Sequence, residues 1–233
     1  MPDLAGVWAQ LQVTTSVVDV PFKGRAETEL RSLALLEVQQ DHRELSIRET
    51  ICSLQSQGPT PIIQTAYPPR FRDALSGHER SAVLTYDGGA WRYTEPKSYR
   101  TNGARLRDPP GERLPEEPED PRVLDADHDG KPGLTVLVRG WVEGEVYLVQ
   151  RGWSELSGIV RSGRQIEGQV AWASEQRVLD ATSRLLTRAP KARPHPQDGR
   201  SFFRMARVPR RATCAELLPR ADRIFGTTGL ARL

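Results

Sequence analysis

Cysteine, lysine and histidine are all scarce in this chain, and each scarcity removes a class of function. Only two cysteines, Cys52 and Cys214, occur in 233 residues, one in each half. That excludes a disulfide-dense scaffold. The four histidines, His42, His78, His128 and His195, stand alone in turn-like segments, and no His/Cys spacing suits a structural zinc site. There is no His-Glu-x-x-His pair, no Gly-x-Ser-x-Gly elbow and no phosphate-cradling glycine loop. No apolar run reaches the length of a membrane-crossing helix, so no transmembrane segment is expected. Lysine is confined to Lys23, Lys97, Lys131 and Lys191, so arginine carries most of the positive charge.

Turn formers are plentiful: 19 glycines and 18 prolines accompany a hydrophobic share of only 37%. With a mean hydropathy of −0.54, much of the chain must be surface or loop. The net charge is +3, and the arginines are scattered among 30 acids, which does not favour a nucleic-acid surface. No nucleic-acid partner is expected, and the chain is read as a monomer.

Period-2 alternation dominates the pattern. Residues 6–20 read as a long first strand, followed by a Phe22-Lys23-Gly24 turn and a strand over Ala26 to Gln39. Gln40-Asp41-His42 turns the chain into a return strand that ends at Cys52. Between Gly58 and Ser81, Pro59, Pro61, Pro68 and Pro69 allow at most an edge strand over Ile62 to Ala66. Residues 82–93 form a hairpin around Asp87-Gly88-Gly89. Residues 107–122 are a Pro-rich acidic linker that cannot bury a core. Leu134 to Val142, Glu145 to Trp153, Glu155 to Val160 and Gln165 to Trp172 are short β runs. Glu175 to Leu186 is a helix or a strand, Pro190 to Gly199 a loop, Phe202 to Val208 a last strand and Thr213 to Leu218 a helical turn. The expectation is one mostly β domain over residues 1–233, an antiparallel meander barrel of roughly eight to ten strands. A long irregular insertion over 56–124 would contain the hairpin and the linker.

One stretch points to specific chemistry: Asp125-Ala126-Asp127-His128-Asp129-Gly130-Lys131-Pro132-Gly133. Aspartates at alternate positions before a glycine suit a loop that wraps a hard cation in oxygen. Asp125, Asp127 and Asp129 would supply carboxylate ligands and Lys131 its carbonyl to a structural Ca²⁺. The loop resembles the first half of an EF-hand loop and the Asp-x-Asp-x-Asp-Gly loops of dockerins. It departs where a bidentate Glu is expected and Val136 stands, so further ligands must come from elsewhere, Glu119 and Asp120 being the nearest acids upstream. The competing reading is an Asx turn holding its own amides.

Gly6-x-Trp8 at the start of the first strand resembles the signature of lipocalins. That resemblance implies a barrel around a small apolar ligand, with Trp8 across the closed end beneath Arg204 or Arg207. It also implies a link from Cys52 to Cys214. By the residues alone these two are either a pair, worth roughly 4–5 kcal/mol when oxidised, or two buried thiols. Met1-Pro2-Asp3-Leu4 lacks a signal-peptide layout, so the chain reads either as cytosolic or as an exported protein without its leader. The calcium-type loop favours export to the periplasm, envelope or exterior.

Trp8, Trp91 and Tyr93 are candidate ligand contacts. The hairpin aromatics Tyr86, Trp91, Tyr93 and Tyr99 form a binding surface or simply cover a sheet. Glu143, Glu145, Glu155 and Glu167 are candidates for paired-carboxylate hydrolysis of an envelope polymer, against a reading as solvated strand faces. The leading expectation is a non-enzymatic, exported β-barrel domain binding a small apolar ligand or an envelope protein. The alternative is an adhesion or interaction module of sandwich type with no cavity.

Overall fold

Alternating apolar side chains in the first third of the sequence become three long, paired strands. The computed structural model describes residues 1–20, 24–58, 63–187 and 192–227. In it β1 (Gly6–Val20), β2 (Gly24–Asp41) and β3 (Glu44–Gln57) run antiparallel in sequence order. The Phe22-Lys23 part of the first turn, Pro59, Pro61, Ile62 and Pro190 lie outside the described residues. A short edge strand, β4 (Ile63–Ala66), is followed by α1 (Pro69–Leu75). Then come β5 (Glu79–Asp87), β6 (Ala90–Asn102), β7 (Leu134–Gly140), β8 (Gly144–Ser162) and β9 (Gln165–Ala181). β10 (Ala192–Pro194), β11 (Phe202–Arg207), α2 (Cys214–Leu217) and α3 (Ala221–Phe225) complete the chain.

The strands form one antiparallel sheet. Following its pairings gives β1-β2-β3-β5-β6-β8-β9-β11, and β11 returns to β1. These eight strands make a barrel-like ring in which each pairs with the next in sequence, as the expected meander requires. Each of the eight strands is paired on both sides over part of its length, which limits the pairing hazard of open sheets. The hairpin expected inside the irregular stretch 56–124 is β5–β6 and belongs to the ring.

Three local expectations are corrected. Glu145 to Trp153 and Glu155 to Val160 are a single strand, β8, because no turn residue separates Trp153 from Glu155 and the alternation continues through Ser154. From Glu175 the strand alternative forms, but as a continuation of β9 that runs to Ala181 before a 3₁₀ turn at Arg184–Leu186, and not as a separate strand. The helix α1 was not expected amid prolines. Pro69 occupies its first turn, where the missing N–H costs nothing.

β6 and β7 lie end to end along one edge of β8, with Asn102 opposite Gln150 and Leu134 opposite Leu148. Residues 103–133 are thus an excursion from an otherwise continuous strand line. Its neck is pinched. The Gly103 carbonyl accepts from the Leu124 amide, and the Leu124 carbonyl from the Gly133 amide, both at 2.9 Å. A Cβ on Gly133 would lie 2.3 Å from the Leu148 carbonyl oxygen, and its φ of +84° is left-handed, so glycine is required there.

Three apolar regions hold the ring. Trp8, Leu36, Ile47, Leu84, Leu156 and Phe203 fill the interior. Phe71 of α1 covers one end of it by packing on Leu134, Val136, Val146 and Leu148. On the outside, Leu217, Ala221 and Phe225 of the C-terminal helices cover Ala9, Leu11 and Leu33. A disulfide from Cys52 to Cys214 fastens that cap to β3, which decides between a pair and two thiols. A capping box between Thr213 and Glu216 starts α2, and Gly226, at φ 62°, ends α3.

Candidate metal centre

The aspartate loop closes the neck of the excursion. The Ala126 amide donates to the Gly133 carbonyl at 3.0 Å, and Asp125 bridges to Gly133. Between these anchors the chain turns through left-handed His128 (φ 56°) and Gly130 (φ 82°). Hydrogen bonds hold the carboxylates inward. Asp125 Oδ1 accepts from the Asp129 amide at 3.1 Å and Oδ2 from the Gly130 amide at 2.9 Å. Asp129 Oδ1 accepts from the Lys131 amide at 2.9 Å, and its Oδ2 from the Thr135 hydroxyl at 2.5 Å. Asp127 Oδ2 accepts from the Thr135 amide at 2.9 Å.

One carboxylate oxygen from each of Asp125, Asp127 and Asp129 lies within 4.8 Å of the other two. Asp127 is only 4% exposed, and its Oδ1 is buried without a hydrogen-bond partner. Burial pushes its carboxyl above the ordinary value, against the amides of Thr135 and of Asp127 itself, and the charges of Asp129 and Asp125 push the same way. An Asx turn accounts for the bonded oxygens. It does not account for Asp127 Oδ1, since a buried acceptor left unpaired is costly. A hard cation among the three carboxylates would satisfy that atom and cancel the mutual repulsion.

Neighbouring side chains brace the loop. The Lys131 ammonium lies 5.5 Å from the Tyr147 ring centroid. The Tyr147 phenol is pushed up to about 12 by burial, by Glu145, which accepts its hydroxyl proton, and by the charge of Asp129. Arg70 of α1 donates to the His128 carbonyl at 3.3 Å. Thr135, which binds two of the three aspartates, was not singled out from the sequence because it is neither acidic nor inside the motif.

The suggested upstream ligands do not join the cluster, which holds three acids among the described residues. Asp120 is instead gripped by Arg122 through two bonds of 2.9 and 2.6 Å, and Arg122 also reaches Glu112 at 2.8 Å. The Arg122 guanidinium holds the Asp120 carboxyl down at about 2. A depressed carboxyl stabilises the fold above its unfolded value, near 4, and loses that contribution as pH falls through the folded one. Following the Asp120 carboxyl carbon by NMR should give a midpoint near 2, and Arg122→Ala should return it towards about 4. Equal midpoints in the two proteins would disprove the pairing.

The candidate ligand aromatics are placed separately. Trp8 is fully buried, donates its indole N–H to the Leu4 carbonyl at 2.8 Å and lies 5.1 Å below the Arg207 guanidinium. Of the two arginines considered, Arg207 is therefore the one over Trp8, while Arg204 donates to the Phe225 carbonyl. Trp91 packs against Tyr86 with tilted rings 5.3 Å apart, and Tyr93 against Phe203 at 5.8 Å inside the ring.

Beside Tyr93 lies a charged interior layer that sequence reading missed. Arg80 is ion-paired with Glu49 at 3.7 Å and Glu95 at 3.5 Å and donates to Gln10 at 2.8 Å. Tyr93 donates its hydroxyl proton to Glu95, and Arg100 approaches Glu49 at 3.7 Å. The signal was available: Glu49 occupies the same strand parity as Leu45, Ile47 and Ile51. Glu155 and Glu167 do not form a hydrolytic pair. Glu167 faces Ile159 and Glu155 faces Ala171, so the two are offset by four strand positions, about 13 Å, beyond the roughly 5–9.5 Å of paired-carboxylate catalysis.

Comparison with protein-family models, with curated proteins and with solved structures finds no match. The site's own geometry therefore has to carry the functional reading.

Proposed function

We propose that this chain is a non-enzymatic, exported binding domain of lipocalin-like design in which one structural Ca²⁺ clamps the neck of the 103–133 excursion. The observation that carries the reading is the unpaired, buried Oδ1 of Asp127 amid two further carboxylates. Asp125, Asp127 and Asp129 hold the ion, which fixes the entry into β7, and the Lys131 carbonyl and water complete its shell. The loop lacks the acidic last ligand of a sensor and leads into a strand, so the clamp is static.

Export is supported by the Cys52–Cys214 disulfide, which suits an oxidising compartment, and by the millimolar calcium such a site needs. Lipocalin-like design is supported by the eight-strand ring, by Trp8 beneath Arg207 and by the tie to the C-terminal cap. Large side chains and the Arg80 layer occupy the ring interior. This favours recognition of an envelope partner on the outer surface over carriage of a small apolar ligand.

Thermal melting with EGTA and with excess Ca²⁺ tests the clamp. At an ion concentration 100 times the dissociation constant, the expected gain is about 2.7 kcal/mol, or roughly 5–10 °C for a chain of this size. Superimposable melts would reject it.

A further inference from the structure

The outer face of β8 and β9 is dented where Gly158 and Gly168 pair across the two strands. A Cβ on Gly168 would come within 2.4 Å of the Gly158 Cα and 2.8 Å of the Phe203 ring, and one on Gly158 within 2.7 Å of that ring. Both glycines share the inward parity of Leu156 and Ile166, and the Phe203 ring fills their side-chain space from inside. The depression holds two adjoining cavities of about 560 and 320 Å³ that share Ser157, Gln169 and Gly199. Ser157 and Gln169 face each other across the strands, and both are exposed. They give the floor a hydroxyl and an amide.

The two ends of the groove differ. Trp153 and Glu155 line one end, beside His195 and Asp198 of the loop before β11. Tyr99 is paired with Trp153, and the Lys97 ammonium lies 4.1 Å from the indole centroid, so an aromatic strip continues the groove. Arg92, Arg161, Arg204 and Glu167 line the other end. The groove's charge is nearly balanced: Arg92, Arg161 and Arg204 meet Glu155, Glu167 and Asp198, and the Lys97 ammonium on Trp153 leaves a single positive charge over. Arg161 bonds Glu167 at 2.7 Å, and Arg92 bonds Asp87 at 3.2 Å.

A polyanion needs a larger excess of positive charge than a single one. An apolar ligand would leave the amide, hydroxyl and carboxylates unpaired. An indole, hydroxyl and amide donors, carboxylate acceptors and near charge neutrality together suit rings with apolar faces and hydroxyl rims. From Trp153 to Ile159 the groove runs about 20 Å along β8, longer than one sugar ring. We propose that the groove over Ser157 and Gln169 binds a neutral oligosaccharide chain, with Trp153 as its stacking platform. This site does not depend on the calcium clamp.

The test is titration calorimetry of the whole chain with cellohexaose, chitohexaose and xylohexaose, with heparin hexasaccharide as a polyanionic comparator. The same titrations are run on Trp153→Ala and on Ser157→Trp, which fills the groove floor from the solvent side. At least one neutral hexasaccharide should bind, its monosaccharide at least tenfold more weakly. Both variants should lose at least tenfold in affinity, about 1.4 kcal/mol, while melting with the wild type. Repeating the titration in EGTA separates this result from the fate of the metal site. Absence of binding by every neutral hexasaccharide at millimolar concentration would overturn the proposal. So would affinities unchanged in both variants, or tighter binding of heparin.

Discussion

Replacing Cys214 by serine is expected to lower the free energy of unfolding by about 4–5 kcal/mol. The bridge spans 162 residues of sequence, so the cross-link removes much of the freedom of the unfolded chain. It also holds the C-terminal cap on the ring. The helices α2 and α3 have only four and five residues, too few to be stable in water alone. Their Leu217, Ala221 and Phe225 are buried against Ala9, Leu11 and Leu33, so an untethered cap would fray and expose that face. Urea unfolding of the wild type, of the wild type with reductant and of Cys214→Ser should give one high midpoint and two coincident low ones. A loss below about 1 kcal/mol would mean that packing holds the cap without help.

Arg80→Met should cost about 3–5 kcal/mol, the usual consequence of removing one partner from a buried ion pair. Burial works against the Arg80 charge, and Glu49 and Glu95 more than offset it. Burial likewise raises the Glu95 carboxyl above its ordinary value, while Arg80 and the Tyr93 hydroxyl lower it. Without the guanidinium, Glu95 and Glu49 face each other in the ring interior with Arg100 still beside Glu49. The pH dependence has a definite sign. A carboxyl raised in the folded state costs stability as pH rises through its folded value and costs nothing once both states are protonated. The deficit of Arg80→Met should therefore be largest near neutrality and shrink in acid. Adding Glu95→Gln should recover part of it, a coupling that a double-mutant cycle measures. An equal deficit at all pH values would contradict the account of this layer.

The sequence disclosed the ring and hid its contents. Alternation located most of the strands because a half-buried strand needs period 2, and Gly/Asp turns placed several of the corners. The join of β8 was missed because two apolar runs around Ser154 look like two short strands when neighbouring strands are unknown. The helix α1 was missed because prolines in its first turn mark a break unless the helix is known to begin there. Asp125, Asp127 and Asp129 are legible because the three carboxylates lie within five residues of sequence. Thr135 is not, because it reaches the loop only after β7 has paired with β8. The dent at Gly158 and Gly168 was equally hidden: an isolated strand glycine reads as a weak point until Phe203 is placed beneath it.

Calcium titration of the whole chain by calorimetry tests the proposed clamp at the neck of the 103–133 excursion. One ion per chain is predicted, with a dissociation constant of about 10⁻⁴–10⁻³ M as for extracellular sites. The heat should vanish in Asp127→Asn, and magnesium should bind more weakly, because it sheds its water reluctantly for an all-protein site. No heat at millimolar calcium, or the same isotherm from Asp127→Asn, would contradict the clamp.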